Sequence, residues 1–223
     1  MRRRLILILS FFLLLVALAL FVNTTYQIYP MNRVEEAQTR DFRVMTWNVH
    51  DSGSDYKARQ KGIAQLILSI DADVVILEEF FLKTSAELDS IVRAHYPYVH
   101  DDWANFSCGE ILYSRFPIDT SLQVRSDTLA ALTNEYILSV NNRLVRLVGC
   151  HLISSNNFSA ERYTFQSIRD FKTLYKYFGI YRKGQERRTK ECRQLSRHLS
   201  ENPMPTVVLG DMNDFSGTPP LKI

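Results

Sequence analysis

The chain has 223 residues, of which 46% are hydrophobic, 23% charged and 12% aromatic. This composition is that of a globular protein, and it excludes a disordered or fibrous chain. The formal net charge of +3 equals the three arginines at positions 2–4, so overall charge gives no argument for nucleic-acid binding. The three cysteines, Cys108, Cys150 and Cys192, form neither a disulfide framework nor a zinc-binding pattern.

An apolar segment follows the three arginines and extends to Val22. It is about as long as a bilayer-spanning helix, and the positive charge before it predicts that the rest of the chain is translocated. We therefore predict a signal anchor, a transmembrane helix, over residues 1–22, with the domain periplasmic or extracellular. The sequence Ala17-Leu18-Ala19, with small residues two positions apart, offers the alternative of a cleaved secretion signal. Residues 23–40 are polar and are predicted to form a linker.

The first half of the predicted domain, which covers residues 41–223 in all, alternates strands with amphipathic helices. The strands are short apolar runs, and the helices have apolar side chains at helical spacing. In chain order we expect a strand over 42–50, a helix over 56–69, a strand over 74–77 and a helix over 82–95. The first strand stops at Asn48, and the second leads directly into Glu78 and Glu79.

The second half is predicted to be rich in strands before two further helices. In chain order we expect a strand over 108–118, hairpin strands over 135–140 and 143–152, and helices over 159–178 and 185–199 separated by a break at 179–184. Asn141 and Asn142 lie between the hairpin strands, and asparagine tolerates the positive φ that a two-residue hairpin turn requires. The second hairpin strand brings His151 to its end.

The last predicted strand, Thr206–Leu209, is an apolar β-branched run that is typical of a buried strand. Gly210 ends it and allows a turn without a Cβ penalty. Asp211, Asn213 and Asp214 follow, and their oxygen-bearing side chains suit a hard cation such as Mg²⁺. Aspartate and asparagine also favour ordinary turns, so this loop alone leaves both interpretations open.

Four predicted strands end in polar side chains of related chemistry. These side chains are Asn48, Glu79, His151 and the pair Asp211 and Asn213. In a layered α/β fold such strand ends can converge on one rim, where functional sites usually lie. Each has an ordinary explanation by itself: a strand-ending asparagine, a solvated glutamate or a structural histidine. The joint pattern favours a site, and the mutual repulsion of Glu78 and Glu79 favours a nearby cation.

The motifs WNVH, DVVILEE, GEILYSRFPI, a strand ending in HL, and GDMND occur in the order and approximate spacing of a known superfamily. Over about residues 41–218 the chain resembles the endonuclease/exonuclease/phosphatase superfamily, which includes pancreatic-type deoxyribonuclease, abasic-site endonucleases, sphingomyelinases and inositol polyphosphate phosphatases. The resemblance implies an α/β fold, a four-layer αββα sandwich of two packed mixed sheets. It also implies Mg²⁺ as the cofactor, with Mn²⁺ as the alternative.

The resemblance also implies roles for the strand-end residues. Glu79 matches the principal Mg²⁺ ligand, and Asn48 matches a residue that helps to hold the metal or the phosphate. His151 matches a residue that contacts the scissile phosphate. Asp211 and Asn213 match the pair that orients or activates the attacking water and stabilises the developing charge.

The sequence departs from the family pattern in two places. Glu78 occupies a position where the family often has glutamine. An Asp/His-bearing strand and a Ser-Asp-His segment, both expected near the C-terminus, do not occur in the 223 residues. We therefore expect a C-terminally truncated domain with impaired activity.

The leading hypothesis is a Mg²⁺-dependent phosphodiesterase of the nuclease type. One alternative is a lipid or small-molecule phosphoesterase of the sphingomyelinase or inositol-phosphatase type, so nucleic acid and phospholipid both stay open as substrates. A second alternative is a non-catalytic, membrane-anchored remnant. No protein partner is indicated.

The helix predicted over 185–199 has a basic character that bears on the substrate. Its cations are Arg187, Arg188, Lys190, Arg193 and Arg197. They could follow a phosphate backbone, but the intervening Glu186 and Glu191 favour an ordinary solvated helix face.

Overall fold

The structure, a computed structural model, describes residues 9–19, 42–50, 55–102, 109–124, 132–155 and 171–214. The chain separates into two compact units. The larger unit comprises Ala37–Ser154 and Arg197–Asn213, and the smaller unit comprises Met1–Glu36, Ser155–Ser196 and Asp214–Ile223. The predicted linker over 23–40 lies outside the described residues.

Residues 9–19 are helical and form α1. A bilayer-spanning helix needs about 20 apolar residues. Within the described parts of the chain, no helix combines the length and the apolar character that crossing a membrane requires. The prediction of a transmembrane helix over 1–22 is therefore not supported, and residues 1–8 and 20–22 of that segment lie outside the described residues.

The larger unit contains two four-stranded mixed sheets. The strands of the first sheet are β1 (Val44–Asn48), β2 (Val74–Glu78), β3 (Tyr98–His100) and β4 (Glu110–Ser114), in the spatial order β1-β2-β4-β3. β1 and β2 are parallel, with Asn48 opposite Glu78. The carboxyl ends of both strands therefore lie side by side, at the same end of this sheet.

The strands of the second sheet are β5 (Ile118–Val124), β6 (Leu132–Val140), β7 (Arg143–His151) and β8 (Thr206–Leu209), in the order β5-β6-β7-β8. The predicted hairpin of β6 and β7 is confirmed. Its turn residues Asn141 and Asn142 have φ angles of 50° and 64°, as a two-residue turn of this kind requires. β7 and β8 are parallel, so His151 and the residues after Leu209 lie at one edge.

The two sheets pack on each other through an apolar core. Its fully or nearly fully buried members are Val74, Ile76, Leu112, Tyr136, Leu138, Val140 and Leu147. The opposite face of the first sheet is covered by α2 (Tyr56–Ile70) and α3 (Ala86–Arg93), against which Val75 and Leu77 pack. Because β2 is covered on both faces, its apolar run is continuous. The predicted two packed mixed sheets with helices are thus present, and the four-layer order stays a prediction.

Two predicted elements of the larger unit have different bounds. Of the strand expected over 108–118, β4 covers only Glu110–Ser114, and Ile118 begins β5, which belongs to the other sheet. Between them the Ser114 hydroxyl bonds both the amide and the carbonyl of Phe116, which turns the chain before Pro117. The helix expected over 82–95 begins later, because the amides of Thr84 and Ser85 first form turns to the Phe81 carbonyl.

The last strand also differs from its prediction. β8 lies at the edge of its sheet, so it has a neighbouring strand on one side only. Val208 is 42% exposed, whereas the apolar run predicted a buried strand. An edge strand can be as apolar in sequence as a central one, since its exposure depends on the sheet order.

Besides α1, the smaller unit contains the described helix α4 (Phe171–Glu201), whose residues 171–196 belong to that unit. The predicted break at 179–184 is wrong, because the helix runs through both Gly179 and Gly184. A helical glycine costs only about 1 kcal/mol, and at Gly184 a Cβ would collide with the Ser155 hydroxyl. Arg188 is fully buried, so it does not lie on the solvated face predicted for this helix. Residues 159–170 of the predicted helix lie outside the described residues.

Candidate active site

The ends of β1, β2, β7 and β8 bring four of the five predicted site residues into direct proximity. We call Asn48, Glu79, His151 and Asp211 the strand-end cluster. Asn213 follows two residues after Asp211, and its side chain contacts the backbone rather than the cluster. Parallel pairing within each sheet aligns the strand ends, and packing of the two sheets brings the pairs together.

Asn48 links the carboxylates of the two sheets. Its Nδ2 atom donates to Glu79 Oε1 and to Asp211 Oδ2, each at 3.0 Å. Its Oδ1 atom accepts the backbone N–H of His50 at 3.0 Å, which fixes the orientation of the amide. Asn48 therefore directs its nitrogen, rather than its oxygen, toward the carboxylate predicted to bind metal.

His151 lies against both carboxylates from the end of β7. Its Nε2 atom is 3.8 Å from Glu79 Oε1 and 4.0 Å from Asp211 Oδ2, so these contacts are electrostatic rather than hydrogen bonds. Its buried Nδ1 atom has no hydrogen-bond partner among the described residues. The two carboxylates therefore favour the ring hydrogen on Nε2, which faces the cluster.

Glu79 turns away from the strand that precedes it. Its φ of 48° is left-handed, so its side chain does not continue the alternation of β2. Burial raises the pKa of its carboxyl, but hydrogen bonds from Asn48 and His50 and the nearby His151 outweigh burial and leave the pKa below its usual value. Glu79 is therefore ionised at neutral pH.

His50 is a site residue that the sequence analysis did not assign. Its Nδ1 atom lies 2.8 Å from Glu79 Oε2. The available signal was its place in WNVH, two residues after Asn48. That signal is weak, because the side chain reaches Glu79 through its own left-handed backbone, with a φ of 48°.

Glu78 has a different environment from Glu79. It is 1% exposed, and its Oε1 atom accepts hydrogen bonds from Thr46 Oγ1 at 2.8 Å and from the Asp211 amide at 3.1 Å. Burial, with the charges of Glu110 and Asp211, raises its pKa to about 8. The repulsion expected between Glu78 and Glu79 is therefore not the feature that marks the site, since Glu78 is protonated at neutral pH.

A second buried acid lies opposite Glu78 in the first sheet. Glu110 pairs with Glu78 across β2 and β4, and its Oε1 atom accepts the Tyr136 hydroxyl at 2.6 Å. Burial raises its pKa to about 7, despite hydrogen bonds that lower it. A Cβ at Gly149 would lie 2.7 Å from Glu110 Oε2, so this glycine makes room for the carboxyl. The motif GEILYS contains Glu110, but nothing in it indicated burial beneath the cluster.

The GDMND loop is fixed to the end of β7 by its backbone. Gly210 has a φ of 138°, and a Cβ there would collide with the Cys150 carbonyl. The Leu152 amide donates to the Asp211 carbonyl at 3.0 Å, and the Asn213 amide donates to Asp211 Oδ1 at 2.8 Å. Asn213 Nδ2 donates to the Leu152 carbonyl at 2.7 Å. These bonds set the direction of the Asp211 carboxylate.

The donor chemistry of the cluster fits a hydrated Mg²⁺ ion. Glu79 and Asp211 are close carboxylates, 30% and 32% exposed, that share one amide donor. Mg²⁺ is commonly bound by one or two carboxylates and keeps several waters. Among the described residues, no group of three or more His, Cys, Asp or Glu side chains is arranged as a metal site. The arrangement thus differs from a closed zinc site.

A family model of the Endonuclease/Exonuclease/phosphatase family matches residues 45–222. The chain belongs to this family. The resemblance predicted from WNVH and GDMND is confirmed. A search of curated protein sequences gives no match.

Several solved structures share the fold of this family member. A β-hairpin deletion mutant of beta toxin from Staphylococcus aureus has a TM-score of 0.60 at 19% identity, covering 82% of this chain and 71% of that chain. Sphingomyelinase C from Streptomyces griseocarneus has a TM-score of 0.58 at 19% identity, covering 79% and 65%. A humanized D. rerio TDP2 has a TM-score of 0.56 at 17% identity, covering 78% and 62%. The chain thus spans less than two thirds of that TDP2. At sequence identities this low, the likeness to these structures shows a shared fold alone.

Proposed function

We propose that this chain is a Mg²⁺-dependent phosphodiesterase that uses the strand-end cluster to hydrolyse a phosphodiester bond. The observation that supports this most is the contact of one asparagine amide, from Asn48, with carboxylates that end strands of two different sheets. Membership in the Endonuclease/Exonuclease/phosphatase family, whose members are phosphoesterases, supports the reaction class.

Glu79 is the proposed principal ligand of Mg²⁺, with Mn²⁺ as a substitute. When bound, the metal supplies positive charge that neutralises a non-bridging phosphate oxygen and the leaving oxygen. Asn48 orients Glu79 and Asp211 through its Nδ2 atom. Its predicted role as a second ligand would use its Oδ1 atom and stays a prediction.

The remaining cluster residues act on the phosphate and on water. His151 presents its Nε2–H group to the cluster and donates a hydrogen bond from it to a phosphate oxygen. This bond stabilises the charge that develops during attack. Asp211, held by the backbone of its loop, accepts a hydrogen bond from the attacking water and orients it. Asn213 is proposed to assist Asp211, since the backbone N–H of Asn213 donates to Asp211 Oδ1.

Nucleic acid is the proposed substrate class, with a phospholipid headgroup as the second candidate. A structure of D. rerio TDP2 contains a single-strand DNA product. The likeness to a sphingomyelinase C favours the second candidate. A beta toxin mutant from Staphylococcus aureus has bound magnesium ions, which supports the metal for either substrate. Membrane association and an extracytoplasmic location stay predictions.

The test is hydrolysis of bis(p-nitrophenyl) phosphate by the purified chain with Mg²⁺ or with EDTA. We expect Mg²⁺-dependent turnover that Glu79→Gln lowers at least about a hundredfold, because the ionised ligand is lost. Exposed Glu87 on α3 provides the control, and Glu87→Gln should leave turnover unchanged. Mn²⁺ binding is measured in parallel, because the predicted impairment of activity would lower turnover without testing the metal site itself. Turnover that is indifferent to EDTA and to Glu79→Gln would contradict the proposal.

The substrate class is tested by comparing single-stranded DNA with sphingomyelin vesicles under the same conditions. Cleavage of DNA alone supports the nuclease type. Cleavage of sphingomyelin alone supports the lipid-directed alternative. Full binding of Mn²⁺ without cleavage of any phosphodiester would favour the non-catalytic remnant.

A further inference from the structure

His50 contacts two members of the strand-end cluster but has no role in the proposed reaction. Its backbone amide donates to Asn48 Oδ1 at 3.0 Å, and its ring Nδ1 lies 2.8 Å from Glu79 Oε2. The imidazole is 57% exposed, so burial does not account for its position. The contact with Glu79 is the feature that holds it.

The two oxygens of Glu79 have different neighbours. Oε2 contacts His50 Nδ1, whereas Oε1 accepts the Asn48 amide and faces His151 Nε2. An ionised carboxylate only accepts hydrogen bonds, so Nδ1 of His50 carries the hydrogen in this contact. One oxygen is thus oriented by the imidazole, and the other is directed to the centre of the cluster.

The backbone of His50 supports this arrangement. Its φ of 48° is left-handed, a conformation that histidine and asparagine adopt more readily than most residues. The bond from its amide to Asn48 Oδ1 holds this turn against the end of β1. The imidazole is therefore placed over Glu79 by a constrained segment rather than by a flexible side chain alone.

We infer that His50 is a positioning residue that holds the Glu79 carboxylate so that Oε1 is presented to the metal. The inference rests on the proposed function. Groups that hydrogen-bond to a metal ligand orient it, and their removal weakens metal binding about tenfold or more. The competing explanation is an exposed His–Glu pair of little consequence, as many surface ion pairs are.

The experiment measures Mn²⁺ binding to the purified chain by isothermal titration calorimetry without substrate. His50→Gly removes the imidazole and tolerates the left-handed backbone, and His50→Ala removes it without adding glycine flexibility. His50→Asn keeps an N–H donor attached to Cγ and also tolerates positive φ. His95→Ala is the control, because the exposed His95 contacts only its own helix turn through the Ile91 carbonyl among the bonds described.

We expect the Kd for Mn²⁺ to rise about tenfold in His50→Gly and His50→Ala, and to stay near the wild-type value in His50→Asn and His95→Ala. In turnover, the Mg²⁺ concentration for half-maximal rate should rise by a similar factor, while the rate at saturating Mg²⁺ changes little. A purely structural role of His50 would not raise the Mg²⁺ requirement while leaving the rate at saturating Mg²⁺ nearly unchanged. The circular dichroism spectrum without metal should be the same in all variants.

The Glu79→Gln variant separates failure of this inference from failure of the proposed function. If Glu79→Gln loses Mn²⁺ binding while His50→Gly and His50→Ala bind as the wild type does, the role of His50 is overturned and the metal site stands. If Glu79→Gln also binds Mn²⁺ unchanged, the metal site itself is overturned, and the role of His50 with it.

Discussion

Glu78 and Glu79 are neighbours in sequence that lie in opposite electrostatic environments. Glu78 ends β2 in the interior, where burial raises its pKa to about 8 and keeps it neutral. The left-handed backbone of Glu79 directs its side chain to Asn48 and His50, which keep it ionised despite partial burial. A single backbone turn thus separates a neutral acid, which accepts the Asp211 amide, from the proposed metal ligand.

The buried acids make folding stability depend on pH. Because the folded-state pKa of Glu110 is about 7 and its ordinary value is 4.5, the folded state binds more protons between these values. Its contribution to stability is present below pH 4.5 and is lost as the pH rises through about 7. We expect the melting temperature of the wild type to fall between pH 5 and pH 8, in part through Glu110.

The Glu110→Gln variant should show a smaller fall over the same range, since glutamine keeps an oxygen for the Tyr136 hydroxyl but does not titrate. Differential scanning calorimetry at pH 5 and pH 8 measures this. Glu87→Gln, at an exposed glutamate, should retain the wild-type dependence. An equal fall in Glu110→Gln and the wild type would contradict the role of burial at Glu110.

Gly210 is predicted to be intolerant of a side chain. Its φ of 138° is unfavourable for other residues, and a Cβ would meet the Cys150 backbone. We expect Gly210→Ala to destabilise the protein by about 2–4 kcal/mol, measured by urea denaturation. The same change should weaken Mn²⁺ binding or turnover, because it displaces Asp211.

Gly62→Ala is the matched control for that substitution. Gly62 lies within α2, and a Cβ there would meet nothing within 4 Å. Alanine in a helix interior is favoured over glycine by roughly 0.5–1 kcal/mol. Gly62→Ala should therefore stabilise the protein slightly, whereas loss of stability in both variants would point to a general sensitivity to substitution.

At the scale of elements, α4 shows why a helix can continue through glycines. In the smaller unit Arg188 donates through Nε to Asp214 Oδ2 at 2.9 Å, and both side chains are fully buried. Asp214 also accepts the Tyr181 hydroxyl at 3.0 Å and Gln185 Nε2 at 3.2 Å. These tertiary bonds hold the turns on either side of Gly184 in one helix.

Removing the cation of this pair should be costly. Arg188→Met leaves the Asp214 carboxylate buried without its ion-pair partner, so we expect a loss of about 3–5 kcal/mol in unfolding free energy. Urea denaturation followed by circular dichroism measures the change. Arg193→Met, at an exposed arginine of the same helix, should change stability by no more than about 0.5 kcal/mol. Equal effects of the two substitutions would argue against a buried ion pair.

At the scale of the whole molecule, the strand-end cluster depends on the packing of two sheets in the larger unit. β1 and β2 supply Asn48 and Glu79, whereas β7 and β8 supply His151 and Asp211. The apolar core between the sheets holds the two sets together. A ligand that binds both sets is expected to favour the folded state, because the unfolded chain does not keep them close.

We therefore expect Mg²⁺ to raise the melting temperature, and EDTA to reverse the change. At a hundred times the Kd, one bound ion stabilises the folded state by about 2.7 kcal/mol. For a chain of this size each kcal/mol shifts the melting temperature by roughly 2–4 °C. Differential scanning fluorimetry with a Mg²⁺ series measures this, and the Glu79→Gln chain should show no shift. A shift of equal size in that variant would place metal binding elsewhere.

Elements whose signal is local were predicted well. The turn at Asn141 and Asn142 follows from the tolerance of asparagine for positive φ. β2 follows from its continuous apolar run, which is typical of a strand that is buried on both faces. The division of residues 108–118 into β4 and β5 was missed, because it depends on the bonds of Ser114 and on which sheet each strand joins. The exposure of Val208 was missed because sheet order is not visible in a short run.

The sequence by itself determined the family of this protein and the strand ends from which the candidate site is built, since apolar runs and the polar residues that end them are local features. The tertiary structure decided the neutral state of Glu78, the orientation of the Asn48 amide and the contact of His50 with Glu79. The contacts of Asn48 with Glu79 and Asp211, and of His50 with Glu79, join residues between 29 and 163 positions apart. Burial and long-range hydrogen bonding exist only once the sheets have packed, and they set the charge and direction of each group.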